Sequence, residues 1–318
     1  MNTILITGIS GQDGLYLAEF LLKKNCIIIG TTRDSHKSIK NIPDYILKKI
    51  TLIEWDLVSS NDLDCIIKKY QPDEIYNFAA YSSGESMYDN PKEMMSINGG
   101  AVVTILDSIL NNNINIKFCQ ASSSEMFGNV NDAPQSELTN FNPQNPYGKA
   151  KLFAHEKIGY YRSKYKIFAC SAILYNHESS RRGLNFVTKK ITNHAVKIKL
   201  KLLERLELGD IQARRDWLHA KDAVLAMYLM MQAKVPSDYV VASGESHSVE
   251  EFCDVAFNCL DLNYKDYVVQ SKKFFRDNDR SGLIGDCTKI KTLGWEPEYS
   301  FKEIVSEMVA SDFEEYNH

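Results

Sequence analysis

A short apolar run at the N-terminus, followed by three spaced glycines, restricts the fold of this chain more than any other feature. Residues 3–7 lead directly into TGISGQDG, which contains Gly8, Gly11 and Gly14, and an apolar helix-forming segment follows. Glycines at such a turn let a pyrophosphate approach the backbone, and the N-terminus of the following helix attracts its negative charge. The segment therefore predicts a dinucleotide-binding strand, turn and helix; an ordinary strand-to-helix turn is the alternative.

Strands and helices alternate through the first half of the chain. Because strands that alternate with helices of this length form parallel βαβ units, the pattern predicts an α/β fold of Rossmann type, a doubly wound parallel sheet. The predicted strands are 3–7, 26–31, 50–53, 74–77, 117–121 and 166–174, and the predicted helices are 13–24, 60–70, 91–111 and 147–164.

The alternation loosens after residue 175, which indicates a smaller α/β substrate-binding domain. A length of 318 residues fits about two domains. We expect residues 1–175 and 211–243 to form the dinucleotide-binding domain, and residues 176–210 and 244–318 to bind the substrate.

Composition excludes several classes of protein. The net charge of −4 lacks the basic excess of a nucleic-acid-binding protein, and no apolar run approaches the ~20 residues of a membrane span. The seven scattered cysteines form no CxxC pair, which argues against a disulfide framework and a zinc site. With no secretory signal at the N-terminus, we expect a cytoplasmic protein that binds no nucleic acid, membrane or metal.

The end of the second predicted strand indicates which dinucleotide is bound. A carboxylate about twenty residues beyond the glycine turn would bind the ribose hydroxyls of NAD, whereas an arginine pairs with the 2′-phosphate of NADP. Arg33 stands there and favours NADP, although the adjacent Asp34 leaves a ribose contact open and Arg33 could be an ordinary surface residue. The other predicted cofactor-binding residues are Gln12, Asp13, Asp56, Leu57, Ala79 and Ala80.

A tyrosine and a lysine four residues apart open the fourth predicted helix. Tyr147 and Lys151 lie on one face of such a helix. An ammonium beside a phenol stabilises the phenolate and lowers the pKa of the phenol from about 10, which makes a usable base. Many pairs with this spacing are ordinary surface pairs, but a place after the fifth strand of a nucleotide-binding sheet favours catalysis and cofactor contact.

A serine-rich segment with one glutamate follows the fifth predicted strand. Residues at the carboxyl ends of parallel strands face the crevice where such sheets bind ligands. Strand alternation predicts that Ser123 and Glu125 share one face, with Ser122 and Ser124 on the other. A carboxylate beside a hydroxyl and a phenol is suited to removing the proton next to a new ketone; a solvent-facing glutamate is the alternative.

Motifs along the whole chain carry a resemblance to a known family. They are TGISGQDGLYLAEFLL, QASSSEMFG, NPYGKAKLFAH, NHESSRRGLNFVTKKI and LGDIQARRDWLHAKDAV, with a looser match in FFRDNDRSGLIGDCTK. The sequence resembles the GDP-mannose 4,6-dehydratases, which are extended short-chain dehydrogenase/reductases. The resemblance implies an NADP-dependent lyase that converts a GDP-linked sugar to its 4-keto-6-deoxy form by internal redox and loss of water.

The resemblance also implies a role for each catalytic candidate. Tyr147 would deprotonate the C4 hydroxyl while hydride passes to NADP, and Lys151 would support it. Ser123 occupies the place of the family's catalytic threonine. Glu125 would take the C5 proton as water leaves from C6, after which hydride returns to C6.

Further residues are implied to bind the nucleotide sugar. Arg215 and Arg276 are expected to face the pyrophosphate, since a guanidinium fork suits phosphate oxygens. Arg215 could instead pair with Asp216, Asn176 could satisfy loop backbone, and Lys190 could be a solvated charge. The full implied set is Ser86, Asn176, Asn185, Val187, Lys190, Arg215 and Arg276.

Departures from the family pattern leave the sugar and the assembly open. A Ser83-Gly84 pair replaces the family's His-Val, so mannose, manno-heptose and an amino sugar remain alternatives. Relatives suggest a homodimer or homotetramer. The helices at 91–111 and 147–164 are the candidate interface, with ordinary core packing of their apolar faces as the alternative. A GDP-sugar 4-reductase, 4-dehydrogenase or epimerase is the alternative enzyme; Glu125 argues against it, because simple redox relatives usually carry an apolar residue there.

Overall fold

The centre of the chain is a parallel β-sheet with helices packed on it. The computed structural model describes residues 1–57, 59–81, 89–130, 132–275 and 283–317. Its strands are β1 (Thr3–Thr7), β2 (Ile27–Thr32), β3 (Ile50–Glu54), β4 (Glu74–Asn77), β5 (Lys117–Ala121), β6 (Ala169–Leu174), β7 (Asn176–Glu178), β8 (Leu206–Leu208), β9 (Arg214–Arg215), β10 (Trp217–His219), β11 (Tyr239–Val241), β12 (His247–Ser248) and β13 (Val268–Gln270).

The helices connect these strands in the order that the sequence predicts for its first half. They are α1 (Gln12–Lys23), α2 (Ser35–Ser38), α3 (Asp44–Leu47), α4 (Ser60–Tyr70), α5 (Pro91–Met95), α6 (Ala101–Asn112), α7 (Pro146–Tyr165), α8 (Val187–Lys199), α9 (Ala220–Gln232), α10 (Val249–Asn258), α11 (Thr288–Lys291) and α12 (Phe301–Asn317). Within the described ranges, no helix is both long and apolar enough to cross a membrane.

The strand order creates a crevice in the middle of the sheet. The seven strands lie in the order β11-β6-β5-β4-β1-β2-β3, and every pair of neighbours is parallel. The chain runs outward from β1 to β3 and then returns to β4 on the other side of β1. Ligands of doubly wound sheets bind at such a reversal. The predicted Rossmann-type fold is confirmed.

Two groups of helices cover the two faces of the sheet. Ile4 and Ile6 of β1 belong to a buried cluster with α1 and α9. Leu5, which lies between them, packs with α4, α6 and α7 on the opposite face. Because successive strand residues point to opposite faces, a strand covered on both sides needs a continuous apolar run.

A second hydrophobic core lies in the C-terminal half of the chain. Residues of α8, α10 and α12 pack around Trp217 and Phe252 there. Trp295, from the same half, belongs instead to the cluster in which β1 packs with α1 and α9. The C-terminal half of the chain therefore contributes to both cores.

The predicted elements differ from the observed ones mainly at their ends. The strand predicted at 166–174 begins only at Ala169, because Lys166 ends α7 in the left-handed conformation with φ of 60°. The helix predicted at 91–111 is divided by a π-helical turn, Ser96–Gly100, between α5 and α6. The strand β11 lies outside the predicted strands, since a run as short as YVV carries no periodicity.

Replacing Gly14 by alanine should destabilise the protein by about 1–3 kcal/mol, because its Cβ would lie 2.7 Å from the Gly8 oxygen and from the Ile9 Cα. Gly159 in α7 is the matched control. A Cβ there meets nothing within 4 Å, so Gly159→Ala should stabilise the helix by up to about 1 kcal/mol. Urea unfolding measures both free energies, and equal effects would show that the turn tolerates a side chain.

Candidate active site

Buried polar side chains join the carboxyl ends of β1, β4 and β5. The Thr7 hydroxyl donates a hydrogen bond to Oδ1 of Asn77, and Nδ2 of Asn77 donates to Oε1 of Gln120 at 2.6 Å. Each of these residues is at most 2% exposed. Because a buried polar group without a partner is costly, this polar ladder holds the three strand ends in register.

The glycine turn lies directly against the end of β4. Gly8 has a φ of 66°, and a Cβ there would lie 2.9 Å from the Ala79 nitrogen. That nitrogen donates to the Thr7 hydroxyl at 3.1 Å. Among the described residues no side chain caps the start of α1, so its first N–H groups are available to an anion. The turn thus fits a dinucleotide pyrophosphate.

Gln12 and Asp13 at the start of α1 bind the chain around β7. The Asp13 carboxylate contacts Nε2 of His177 at 3.0 Å, and Gln12 donates to the His177 carbonyl at 3.1 Å. The Ser179 hydroxyl donates to Oε1 of Gln12 at 2.7 Å. Their side chains therefore connect the glycine turn to the segment that follows β6.

The contact between Asp13 and His177 favours the charged form of each group. Burial disfavours both charges, but the attraction between the two groups outweighs it, so the pKa of Asp13 is lowered and that of His177 is raised. His177 was not among the predicted site residues. Its one signal in the sequence is its place in the segment NHESSRR, and a pairing across the fold leaves no trace in local spacing.

Arg33 lies exposed immediately after β2. The two nearby carboxylates, those of Asp34 and Glu54, accept hydrogen bonds from the segment that follows β2. Asp34 accepts a hydrogen bond from the Lys37 nitrogen at 3.0 Å, and Glu54 accepts from both the nitrogen and the hydroxyl of Ser35. Asp56 and Leu57 lie at the turn after β3, and Ala80 follows Ala79 beyond β4. Together with the glycine turn after β1, these cofactor candidates follow four adjacent strands, β4, β1, β2 and β3.

Tyr147 and Lys151 lie on the first two turns of α7. The Lys151 ammonium donates to the Ala121 carbonyl at 2.7 Å and lies 5.6 Å from the centre of the Tyr147 ring. Gln120 donates to the same carbonyl, so the lysine is continuous with the polar ladder. Burial lowers the pKa of Lys151 to about 8. Lys151 is 2% exposed, whereas Tyr147 is half-buried.

Ser123 and Glu125 are neighbours, but not for the predicted reason. The residues Ser124–Met126 form a 3₁₀ turn, so the alternation of a strand ends before Glu125 and the grouping by strand parity is wrong. The Ser123 hydroxyl instead accepts a hydrogen bond from the Glu125 nitrogen at 3.2 Å. Ser122 turns away from this pair and donates to the sulfur of Met126.

The start of α7 is held against the turn that carries Glu125. A Cβ on Gly148 would lie 2.5 Å from the Glu125 carbonyl oxygen, so the two backbones are in direct contact. Asn145 caps α7 through Oδ1 and donates from Nδ2 to Oε2 of Glu125 at 2.8 Å. These contacts bring a hydroxyl, a carboxylate, a phenol and an ammonium to one place.

The predicted substrate residues lie on three separate segments. Asn176 is exposed on β7, and Asn185 and Val187 are exposed at the start of α8. Lys190 donates to the Glu207 carbonyl at 2.7 Å, and its ammonium lies 4.0 Å from the centre of the Phe274 ring. Burial, reinforced by Lys273, lowers the pKa of Lys190.

Arg215 lies on β9, and its guanidinium donates to the Arg214 carbonyl at 2.7 Å. The alternative for Arg215 was an ion pair with Asp216, but Asp216 makes other contacts. Its carboxylate accepts hydrogen bonds from the backbone of Ser243, Gly244 and Gly285. Ser86 and Arg276 lie outside the described residues. Within the described ranges, no group of three or more histidine, cysteine or carboxylate side chains is arranged to hold a metal.

Comparison with known proteins identifies close sequence relatives. A family model described as GDP-mannose 4,6 dehydratase matches residues 5–308. GDP-mannose 4,6 dehydratase 2 of Arabidopsis thaliana is 43% identical over 323 residues, which covers 98% of this chain and 86% of that protein.

Solved structures match the chain over its full length. The dTDP-glucose 4,6-dehydratase of Bacillus anthracis, in complex with NAD, superimposes with a TM-score of 0.86 at 21% identity, covering 100% of this chain and 98% of that one. RMD from Pseudomonas aeruginosa, complexed with NADPH, gives 0.83 at 19% identity and covers 99% and 100%. At such low identities the likeness bears on the fold alone.

The buried ammonium of Lys151 predicts a pH-dependent stability. Because the pKa falls from 10.5 to about 8 on folding, the unfolded chain binds the extra proton between these values, and stability rises with pH there. The unfolding free energy of the wild type relative to Lys151→Met should therefore rise by about 2 kcal/mol between about pH 7 and about pH 9.5. Urea unfolding at matched pH measures the difference.

The exposed Lys149 of the same helix provides the control variant, Lys149→Met, for loss of one charge. A difference between wild type and Lys151→Met that stays constant over this pH range would contradict a desolvated ammonium at Lys151.

Proposed function

Since the chain belongs to the GDP-mannose 4,6-dehydratase family, we propose that it converts GDP-mannose to the GDP-linked 4-keto-6-deoxy sugar by internal redox and loss of water. The observation that carries the proposal is the meeting of Ser123, Glu125, Tyr147 and Lys151 beside the glycine turn. A reductase, dehydrogenase or epimerase is not favoured, because the matched family is one of dehydratases and the site carries a carboxylate.

The glycine turn and the strand ends around it would hold a nicotinamide dinucleotide. Gly8, Gly11 and Gly14 with the N-terminus of α1 would bind the pyrophosphate, and Ala79 and Ala80 would lie along the cofactor. Bound there, the nicotinamide supplies a site that accepts hydride from C4 and returns it to C6. We propose that this cofactor is NADP, because Arg33 is exposed at the end of β2 while Asp34 and Glu54 are engaged elsewhere.

Tyr147 and Lys151 perform the oxidation at C4. The phenolate of Tyr147 takes the proton of the C4 hydroxyl as the C4–H bond gives up its electron pair as hydride. Lys151, whose ammonium lies near the phenol, stabilises the phenolate. The Ser123 hydroxyl donates a hydrogen bond to the oxygen at C4 as it becomes a carbonyl.

Glu125 performs the elimination. The C4 ketone acidifies the C5 hydrogen, and the Glu125 carboxylate removes it as a proton. The C5–H electron pair forms a C5=C6 double bond while the C6–O bond breaks. The departing hydroxyl takes a proton from the Glu125 carboxyl and leaves as water, so Glu125 is a carboxylate again. Return of hydride to C6 and uptake of a proton at C5 would complete the product. Tyr147 releases the proton that it took from the C4 hydroxyl, which balances the proton gained at C5, so the net change is the loss of one water.

The C-terminal half of the chain supplies the nucleotide-sugar site in this proposal. Residues 176–210 and 244–318 form the substrate domain. Two tryptophans pack across this division: Trp295, from the substrate domain, belongs to the cluster that contains β1, and Trp217, from the dinucleotide-binding domain, belongs to the second core. Asn176 and Arg215 contact the sugar and the pyrophosphate. The further substrate contacts are Ser86, Asn185, Val187, Lys190 and Arg276.

We also propose a homo-oligomer that pairs through the helices on one side of the sheet. Tyr160 of α7 is 48% exposed and Met95 of α5 is 37% exposed, so both helices present apolar surface to solvent. The assembly of two or four copies and the cytoplasmic location stay predictions from the sequence.

Arg33→Ala should raise the dissociation constant of NADP about 10- to 100-fold and leave that of NAD unchanged, because a charge-assisted contact to the 2′-phosphate is lost. Fluorescence titration of both dinucleotides measures this. Lys40→Ala removes another exposed positive charge from the same segment and serves as control. Equal loss of affinity for NAD and NADP would contradict a role for Arg33 in the choice of cofactor.

The proposed reaction is tested by incubating the purified protein with GDP-mannose, and in parallel with GDP-manno-heptose, without added reductant. Mass spectrometry should find a product lighter by one water. Glu125→Gln should abolish water loss while the reduced nicotinamide still accumulates, because C4 oxidation needs only the phenol, the ammonium and the hydroxyl.

A product that has lost two hydrogens, or turnover that requires added NADPH, would overturn the dehydratase assignment. Normal dehydration by Glu125→Gln would overturn the role of Glu125 alone.

A further inference from the structure

Asn145 makes two hydrogen bonds that have different consequences. Its Oδ1 accepts from the Gly148 nitrogen at 2.7 Å, which caps the start of α7. Its Nδ2 donates to Oε2 of Glu125 at 2.8 Å. One side chain therefore connects the helix that carries the phenol and the ammonium to the carboxylate on the turn after β5.

Capping alone does not require an asparagine at this position. Serine and aspartate cap helices about as well, because each presents an oxygen to the first N–H groups. Of these side chains only asparagine also carries an amide donor that a carboxylate accepts. The second hydrogen bond is thus separable from the first by substitution.

The contact matters because little else holds the Glu125 side chain. Glu125 is exposed, and within the described residues the Asn145 amide is the group that hydrogen-bonds its carboxylate. A free glutamate samples several rotamers, and a reacting group that is displaced by a fraction of an ångström loses much of its rate. With Oε2 held by Asn145, Oε1 is left to face the sugar.

The backbones on either side of the contact are already fixed. Gly148 packs directly on the Glu125 carbonyl, and Lys151 holds α7 to the end of β5. These contacts fix the backbone of Glu125 but not its exposed side chain, which the Asn145 amide holds.

We propose that Asn145 is a positioning residue that holds the Glu125 carboxylate for removal of the C5 proton. This rests on the proposed dehydratase function. Asn145 does not take part in oxidation at C4, so its loss separates the two halves of the reaction.

The test uses Asn145→Asp and Asn145→Ser in the full-length protein with its cofactor and GDP-mannose. Both variants keep a capping oxygen and lose the amide donor, and the aspartate also faces Glu125 with a like charge. The kcat of dehydration, and the exchange of the C5 hydrogen with deuterated water, should fall about 10- to 100-fold. The KM and the single-turnover formation of reduced nicotinamide should stay within about twofold of the wild type.

Asn90 provides a matched control. It also precedes a proline, caps a helix by accepting from the Glu93 nitrogen, and donates from Nδ2 to the Glu93 carboxylate at 3.1 Å. Asn90→Asp and Asn90→Ser make the same chemical change at another helix start. They should leave dehydration, C5 exchange and C4 oxidation at wild-type rates.

A double-mutant comparison then separates positioning from structural damage. In the Glu125→Gln background, Asn145→Ser should cause no further loss of C5 exchange, because the carboxylate that it serves is already gone. Equal loss of C4 oxidation and C5 exchange in the Asn145 variants, or rates equal to those of the Asn90 variants, would overturn the proposal. Failure of the wild type to dehydrate GDP-mannose would instead overturn the proposed function.

Discussion

The hydrogen bond from Lys151 to the Ala121 carbonyl connects the helix that carries Tyr147 to the central sheet. It ties the first turns of α7 to the end of β5, and Gln120, which donates to the same carbonyl, extends the connection through Asn77 to Thr7. A buried ammonium is costly to hold, so this arrangement persists only while its partner stays in place. The helix α7 and the glycine turn are therefore connected through one series of hydrogen bonds.

Parallel strands make this convergence possible. The ends of β1, β4 and β5 lie side by side, so the segments that follow them meet although they are distant in the sequence. In the proposed reaction, oxidation at C4 uses a phenol and an ammonium from α7, and elimination at C5 uses a carboxylate from the turn after β5. Asn145 and the backbone contact of Gly148 join these segments at close range.

Local patterns in the sequence predicted much of this site and failed where tertiary contacts decide. The strands 3–7, 74–77 and 117–121 were predictable because each is a short run that contains β-branched or aromatic residues and alternates with helix-forming segments. The spacing of Tyr147 and Lys151 needs only helical geometry. Strand parity gave the wrong reason for grouping Ser123 with Glu125, because the chain leaves the strand for a 3₁₀ turn.

The sequence by itself determined the fold class, the glycine turn and the family, and it supplied the prediction of the reacting groups, since each of these depends on residue type and local spacing. Only the tertiary structure decided which groups touch: Asp13 contacts His177, and Asn145 holds Glu125. It also decided that Arg33 is exposed while the carboxylate of Asp34 beside it accepts a hydrogen bond from Lys37. The physical reason is that a hydrogen bond forms between atoms within about 3 Å. Such proximity between distant segments arises from the packing of strands and helices, which no local pattern encodes.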